Sequence, residues 1–423
     1  MNAPASISLE EARAIVKEHV KPLGSERVPV LEAVGRVLAE DVFSDIDVCP
    51  FDDSGMDGFA VVAADLDSAS EDACVKLRCV AHIGAGSVYE QELQPGECAR
   101  IMTGAPVPAG ADAVVQIEKV SFEGQGSVGD EICFTEPVKL GKNIRHAGEE
   151  AKAGDKICEV GEYVTPAGAG LFAACGNLEV CVYKRPVAGL ISIGSELVDA
   201  TAVPGPGMIR NSNIWAMQAN VAAAGAVPKV YPTVSDDVDE IRAVYAKAAE
   251  ECDIVFSTGG ACLGDFDLTP GILRELGTML FERVNVKPGK SQPFGFIGTT
   301  PVFVLSGNPA ASSVGFELYG RLALRIMEGF GAVDRPSVKA KIGCDIKARR
   351  DGRMVLERAI LSQDERGELQ VMPLKKQSSA LYGALQKCNC LAVIPAGGNS
   401  LAAGEPVTCI LTCADEMLPL SCQ

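Results

Sequence analysis

Apolar residues change their spacing along the chain, and each change suggests a different kind of element. Near the N-terminus Ala12, Ile15 and Val16 recur at helical spacing behind Ser8-Leu9-Glu10-Glu11, where Ser and Glu stand at capping-box distance. A second helical stretch is expected over 31–41, broken by the Asp- and Pro-containing segment 45–53. From about Asp57 to Arg145 the pattern shortens to strand-length apolar runs between Gly and Pro, at 73–83, 113–117 and 131–134 among others, which suggests a small β-barrel or sandwich. Short strands continue to Tyr183.

Pro186 opens a different rhythm. Strand-type runs at 187–193, 229–234, 253–257 and 302–305 alternate with helical patterns at 213–224, 237–250, 270–276 and 309–328. Such alternation predicts an α/β domain with a mainly parallel sheet. After Asp334 the chain returns to short strands and turns, which implies a C-terminal β-type module. The sequence contains no internal repeat and no low-complexity tract.

Length and composition narrow the class. A chain of 423 residues exceeds one hydrophobic core, so roughly two to four domains are expected. Hydrophobic residues make up 47% and charged residues 22%, values that argue against disorder. The apolar runs are strand-length, too short to span a membrane, and Met1-Asn2-Ala3-Pro4 lacks the basic and apolar regions of a secretory signal. A cytoplasmic protein is therefore expected. The net charge of −18 disfavours nucleic acid as a partner, although a local basic motif can still bind a small anion. The 16 Cys include no Cys-x-x-Cys pair, and the only His are His19, His82 and His146. These thiols are expected to be reduced, acting mainly as small buried groups, with no zinc site.

Three strand-to-helix turns fall where open α/β sheets bind ligands: Gly194-Ser195-Glu196-Leu197, Ser257-Thr258-Gly259-Gly260 with Gly264-Asp265-Phe266-Asp267, and Ser306-Gly307-Asn308-Pro309. Glycine lets backbone amides approach a phosphate, and a helix N-terminus offers unpaired N–H groups; ordinary βα turns share the same pattern. Glu196, Asp236, Asp265 and Asp267 lie in or beside these turns, and hard carboxylates next to a phosphate cradle suit Mg²⁺. Asp236 with Asp239 also fits a helix cap. The run Arg283-Val284-Asn285-Val286-Lys287-Pro288-Gly289-Lys290 alternates cations with apolar residues. On a strand Arg283 and Lys287 would share one face, and the Pro-Gly turn would bring Lys290 near them to make an oxyanion site. Pro50-Phe51-Asp52-Asp53-Ser54-Gly55-Met56-Asp57-Gly58-Phe59-Ala60-Val61 reads as a structured loop with an acidic tip.

Taken in order, these motifs resemble the molybdopterin molybdenumtransferase family, the bacterial molybdenum insertases and their gephyrin-type counterparts. The resemblance runs through 50–61, Arg100-Ile101-Met102-Thr103-Gly104-Ala105-Pro106 with Gly110-Ala111-Asp112-Ala113-Val114-Val115, and Asn143-Ile144-Arg145 with Gly148-Glu149-Glu150. The three turns, Lys-Pro-Gly-Lys and Gln377-Ser378-Ser379 complete it, over essentially the whole chain. It implies four domains: 1–45 with 147–183, an inserted β-rich domain at 46–146, an α/β molybdopterin-binding domain at 184–333, and a β-barrel at 334–423. It also implies a homodimer whose cleft lies between the α/β domain of one subunit and the inserted domain of the other.

Carried over residue by residue, Asp57, Thr103, Arg145 and Glu150 would line the cleft from one chain. Glu196, Asp236, Asp267, Arg283, Lys287 and Lys290 would line it from the other, with Arg353 and Ser379 holding molybdate. Gly194, Ser195, Gly259, Gly260, Ser306, Gly307 and Asn308 would cradle the pyrophosphate of adenylyl-molybdopterin, and Asp236, Asp267, Glu196 and Asp57 would supply Mg²⁺ ligands. The implied reaction is Mg²⁺-dependent insertion of molybdate into adenylyl-molybdopterin with release of AMP. A molybdopterin adenylyltransferase and a gephyrin-like scaffold are the alternatives. Transient contacts with the adenylyltransferase and with apo-molybdoenzymes follow from the same resemblance, whereas a choice between molybdate and tungstate does not. Glu150 where Asp is usual, Arg283 where Lys is found, Ser306 in place of proline and Cys262 in place of a small hydroxyl residue depart from the family pattern, and none removes a charge.

Overall fold

The computed structural model describes residues 6–260, 268–347, 352–397 and 400–412. The chain divides into two compact units, one formed by Arg27–Val34 and Glu40–Val180, the other by Met1–Glu26, Gly35–Ala39 and Cys181–Gln423.

The first unit is built on a six-stranded sheet of β1 (Gly58–Val61), β2 (Val75–Ile83), β3 (Glu97–Ile101), β4 (Ala113–Gln116), β5 (Val120–Phe122) and β6 (Glu131–Phe134), in the order β4-β1-β3-β2-β6-β5. β1 is buried along its whole length, and a Cβ on Gly58 would lie 1.9 Å from the Val115 carbonyl oxygen. Glycine is therefore required where the signature loop enters the sheet. Phe59 and Phe134 meet edge to face at 6.3 Å in the core beneath it. The antiparallel pairing of β2 with β6 brings Cys74 and Cys133 to a Cα separation of 5.6 Å, and they form a disulfide. This corrects the expectation of fully reduced thiols: the two cysteines lie 59 residues apart and only strand register makes them neighbours. The helix expected over 31–41 shrinks to α2 (Val30–Ala33), because Gly35 turns the chain at φ 86°.

In the second unit, α1 (Leu9–His19) opens with the expected capping box: the Glu11 amide donates to Ser8 Oγ at 3.1 Å and the Ser8 amide to Glu11 Oε2 at 2.8 Å. Its Leu9, Ala12 and Val16 join a core with Phe256, Phe281 and Phe303. The central sheet comprises β7 (Val187–Ser192), β8 (Val227–Val230), β9 (Ile254–Thr258), β10 (Thr278–Arg283), β12 (Ser291–Ile297) and β13 (Thr300–Leu305), in the order β8-β7-β9-β13-β12-β10. β8, β7, β9 and β13 run parallel; β12 and β10 extend the sheet antiparallel. Helices Asn213–Ala223 (α3), Val238–Glu251 (α4) and Leu268–Leu276 (α5) connect them, close to their sequence-predicted spans. The long helix expected over 309–328 is Pro309–Gly315 (α6) and Arg321–Met327 (α7), joined by a π-helical turn at Phe316–Gly320.

The C-terminal strands β14 (Ser337–Ile342), β15 (Met354–Gln363), β16 (Leu369–Pro373), β17 (Cys390–Ile394) and β18 (Pro406–Leu411) close into a five-stranded barrel, since β15 pairs with both β16 and β17. A two-residue strand, β11 (Val286–Lys287), adds to β15 in parallel, with Lys287 opposite Val355. Among the described residues no helix is long and apolar enough to cross a membrane.

Candidate functional site

Two of the glycine turns meet at the carboxyl ends of β9 and β13. Gly259 sits at φ 95°, where a Cβ would lie 2.0 Å from the Ile193 carbonyl oxygen, and its Cα approaches to 3.5 Å of where a Cβ on Gly307 would stand. The Asn213 side chain, at the start of α3, donates to the Gly307 carbonyl at 2.8 Å and accepts from the Tyr382 hydroxyl at 2.6 Å. Gly259, Gly307 and Asn213, with Glu196 and Thr258, line a small cleft of about 70 Å³. Gly260 follows at φ 62°. On the neighbouring turn after β7, the Ser195 amide donates to Asp236 Oδ2 at 2.9 Å and the Asp236 amide donates back to Ser195 Oγ at 3.0 Å. Gly194 is buried in this turn, its amide donating to the Val234 carbonyl, and Glu196 is exposed beside it. Asp237, not Asp236, caps α4 by accepting from the Asp239 and Glu240 amides, so the capping alternative for Asp236 falls away.

A larger pocket of about 550 Å³ opens on the other side of the Ser306 turn. Lys287, Lys290 and Arg353 bring cations to it, Ser306, Asn308, Ser378 and Ser379 bring small polar groups, and Glu357 brings a carboxylate. The chain bends there because the Val284 amide donates to the Lys290 carbonyl at 2.9 Å around a cis Lys287–Pro288 bond and Gly289 at φ 85°. Ser306 Oγ accepts from the Asn308 amide at 3.2 Å, and the Ser379 carbonyl accepts from the Ala310 amide at the start of α6 at 2.8 Å. Arg283 departs from the expected geometry. β10 ends at Arg283 and β11 begins at Val286 in a different sheet, so Arg283 and Lys287 do not share a strand face. Arg283 Nε is buried with no hydrogen-bond partner, and Arg283 is not among the residues lining the pocket.

In the β-rich unit, Asp57 Oδ1 accepts from both the Thr103 amide at 2.7 Å and the Thr103 hydroxyl at 2.8 Å. These bonds, the amide first, hold the Asp57 carboxyl below the usual carboxylate range. Arg145, on a short strand paired antiparallel with Asp53 and Ser54, donates from Nε to the buried Asp53 carboxylate at 2.6 Å, which raises the guanidinium pKa. Arg145 lies against Gly104, next to Thr103, so Asp57, Thr103 and Arg145 form one exposed cluster. Glu150 is exposed, its amide bonded to the Val48 carbonyl at 3.0 Å.

Asp265 and Asp267 lie outside the described residues. Among the described residues no group of three or more His, Cys, Asp or Glu is arranged to hold a metal ion. Glu196 is exposed on the turn after β7, and Asp236 is bonded to that turn through the Ser195 amide; each offers hard carboxylate oxygens of the type Mg²⁺ takes. Sequence reasoning passed over Arg358 and Asn213. Arg358 reads as one more strand residue, and Asn213 as a helix opener, until the fold brings them to these pockets.

Three family models match successive parts of the chain: the MoeA N-terminal region (domain I and II) at residues 7–176, a probable molybdopterin binding domain at 189–325, and the MoeA C-terminal region (domain IV) at 339–412. The molybdopterin molybdenumtransferase of Staphylococcus aureus (strain COL) is 34% identical over 412 residues, covering 97% of this chain and 96% of the relative. That of Bacillus subtilis (strain 168) is 35% identical over 408 residues, covering 96% and 94%. The crystal structure of the molybdopterin biosynthesis moeA protein from Pyrococcus horikoshii OT3 superposes with a TM-score of 0.82 at 30% identity, covering 96% of this chain and all of that one. The chain therefore belongs to the molybdopterin molybdenumtransferase family, transferases of molybdenum cofactor biosynthesis.

Proposed function

We propose that the protein inserts molybdenum from molybdate into adenylyl-molybdopterin, releasing AMP in a Mg²⁺-dependent step, and acts as a homodimer. One observation carries this reading: the glycine cleft and the cationic pocket share a wall. Gly307 and Pro309 line the cleft, while Ser306 and Asn308 of the same turn line the pocket. A pyrophosphate over the glycines and an oxyanion among Lys287, Lys290, Arg353 and Ser379 would thus lie side by side. Concentrating cations there in a chain of net charge −18 favours a small multivalent anion.

The residues would work by positioning and charge compensation, with no protein nucleophile. Amides of the Gly259 and Gly307 turns orient the phosphates. The lysines and Arg353 hold the oxyanion against the substrate's dithiolene end, and Ser379 fixes one of its oxygens. Mg²⁺, held by Glu196, Asp236 and Asp267, would neutralise the phosphoanhydride charge. Asp57, Thr103, Arg145 and Glu150 are proposed to contribute to catalysis, the first three as a prearranged cluster; the family resemblance adds Gly194, Ser195 and Gly260 to the substrate contacts and Asp57 to the metal ligands.

The test is AMP release from adenylyl-molybdopterin by the purified protein, with and without Mg²⁺ and molybdate. Release that requires both ions supports the insertase. Consumption of ATP with molybdopterin would instead support an adenylyltransferase, and ligand binding without AMP release would support a scaffold.

A further inference from the structure

We infer that Arg358 is a positioning residue of the oxyanion pocket, fixing its Ser378 and Ser379 wall and keeping a positive charge behind it. The inference rests on reading that pocket as the oxyanion site. Arg358 lies on β15 and is only 1% exposed, yet it lines the pocket. A buried guanidinium is normally matched by a carboxylate and has all its N–H groups satisfied. Here no salt bridge to Arg358 is formed among the described residues, and Nε has no hydrogen-bond partner. Burial lowers its pKa, and the neighbouring Glu357 charge opposes that shift. A buried guanidinium with no salt bridge and an unpaired Nε–H suits an anion in the cavity that it lines.

Its bonds point to the same wall. Arg358 Nη2 donates to the Ser378 carbonyl at 3.3 Å. The Arg358 amide donates to Gln377 Oε1 at 3.1 Å, and Gln377 Nε2 donates back to the Arg358 carbonyl at 2.8 Å, a carbonyl that also accepts from the Leu374 amide at 2.9 Å. The Ser379 carbonyl is tied to the Ala310 amide at 2.8 Å. Three consecutive residues of the hydroxyl-bearing loop are thereby held, Gln377 by the Arg358 main chain, Ser378 by its guanidinium and Ser379 by Ala310. Without the guanidinium, Ser378 loses its donor and the loop can move away from Lys287 and Lys290. The adenylyl and pterin ends of the substrate, bound elsewhere, would not register the change.

The experiment is calorimetric titration of the full-length protein with molybdate and, separately, with adenylyl-molybdopterin, for the wild type, K290A, R358K and R358Q. R358K keeps the charge but cannot reproduce the planar fork. It should weaken molybdate binding by about tenfold, the loss expected for one hydrogen bond from a charged donor. R358Q should weaken it further, and both should bind adenylyl-molybdopterin as the wild type does. If R358Q does not fold, R358K alone decides. Equal molybdate affinity in R358K and wild type, or an equal loss for both ligands, would overturn the inference while K290A still reports on the pocket. Failure of the wild type to bind molybdate would overturn the reading of the pocket and this inference with it.

Discussion

Gly259 and Gly307 both line the cleft, yet the structure gives them different reasons to be glycine. At Gly259 a Cβ would lie 2.0 Å from the Ile193 carbonyl oxygen and 3.0 Å from its carbon, and the residue sits at φ 95°. Holding alanine at positive φ costs about 1–2 kcal/mol. Displacing the packed backbone at Ile193, just after β7, costs about 1–3 kcal/mol more, and the stiffer unfolded chain returns only about 0.4–1 kcal/mol. G259A should therefore destabilise its unit by about 1–5 kcal/mol. At Gly307 φ is not positive, and the nearest atom to a Cβ is the Gly259 Cα at 3.5 Å, an ordinary contact. G307A should leave stability unchanged or raise it by about 0.4–1 kcal/mol, while its methyl group intrudes where phosphate must approach. Differential scanning calorimetry, with the two units treated as separate transitions, measures the first quantity. Titration with adenylyl-molybdopterin measures the second. Wild-type melting of G259A, or a destabilised G307A, would refute the reasoning.

Lys287→Ala and Lys290→Ala should each raise the molybdate concentration needed for half-maximal insertion, by about tenfold for one lost charge-assisted contact; an unchanged molybdate dependence would remove that lysine from the site. Glu328 is buried, and burial pushes its carboxyl from 4.5 up to about 7. Its folded pKa thus exceeds the unfolded value, so its contribution to stability is fully present below 4.5 and is lost as pH rises through about 7, at most about 3 kcal/mol. E328Q should flatten the stability curve across that window, and parallel curves for variant and wild type would sink the argument. Thr103→Val removes the hydroxyl donor to Asp57 but keeps the amide, the larger cause of its lowered pKa. The Asp57 pKa followed by NMR should rise yet stay below the usual carboxylate value; no rise would mean the hydroxyl bond is not formed in solution.

The sequence by itself determined the α1 capping box, the alternation of the four parallel strands with helices in the α/β region and the β-rich texture on either side. It also singled out the motifs to which the chemistry is assigned in the proposed function. Those features depend on local period, capping and turn propensity, which neighbouring residues encode directly. Tertiary structure alone decided the rest. It split Arg283 from Lys287 by ending one strand and starting another in a different sheet, and it joined Cys74 to Cys133 through strand register. It also set the β11 lysine beside Arg353, Arg358 and the Ser378 and Ser379 loop, residues some seventy to ninety positions later in the chain, by adding two residues to the edge of a barrel strand. Strand register and burial depend on contacts between distant segments, and no local pattern specifies which distant residue completes them.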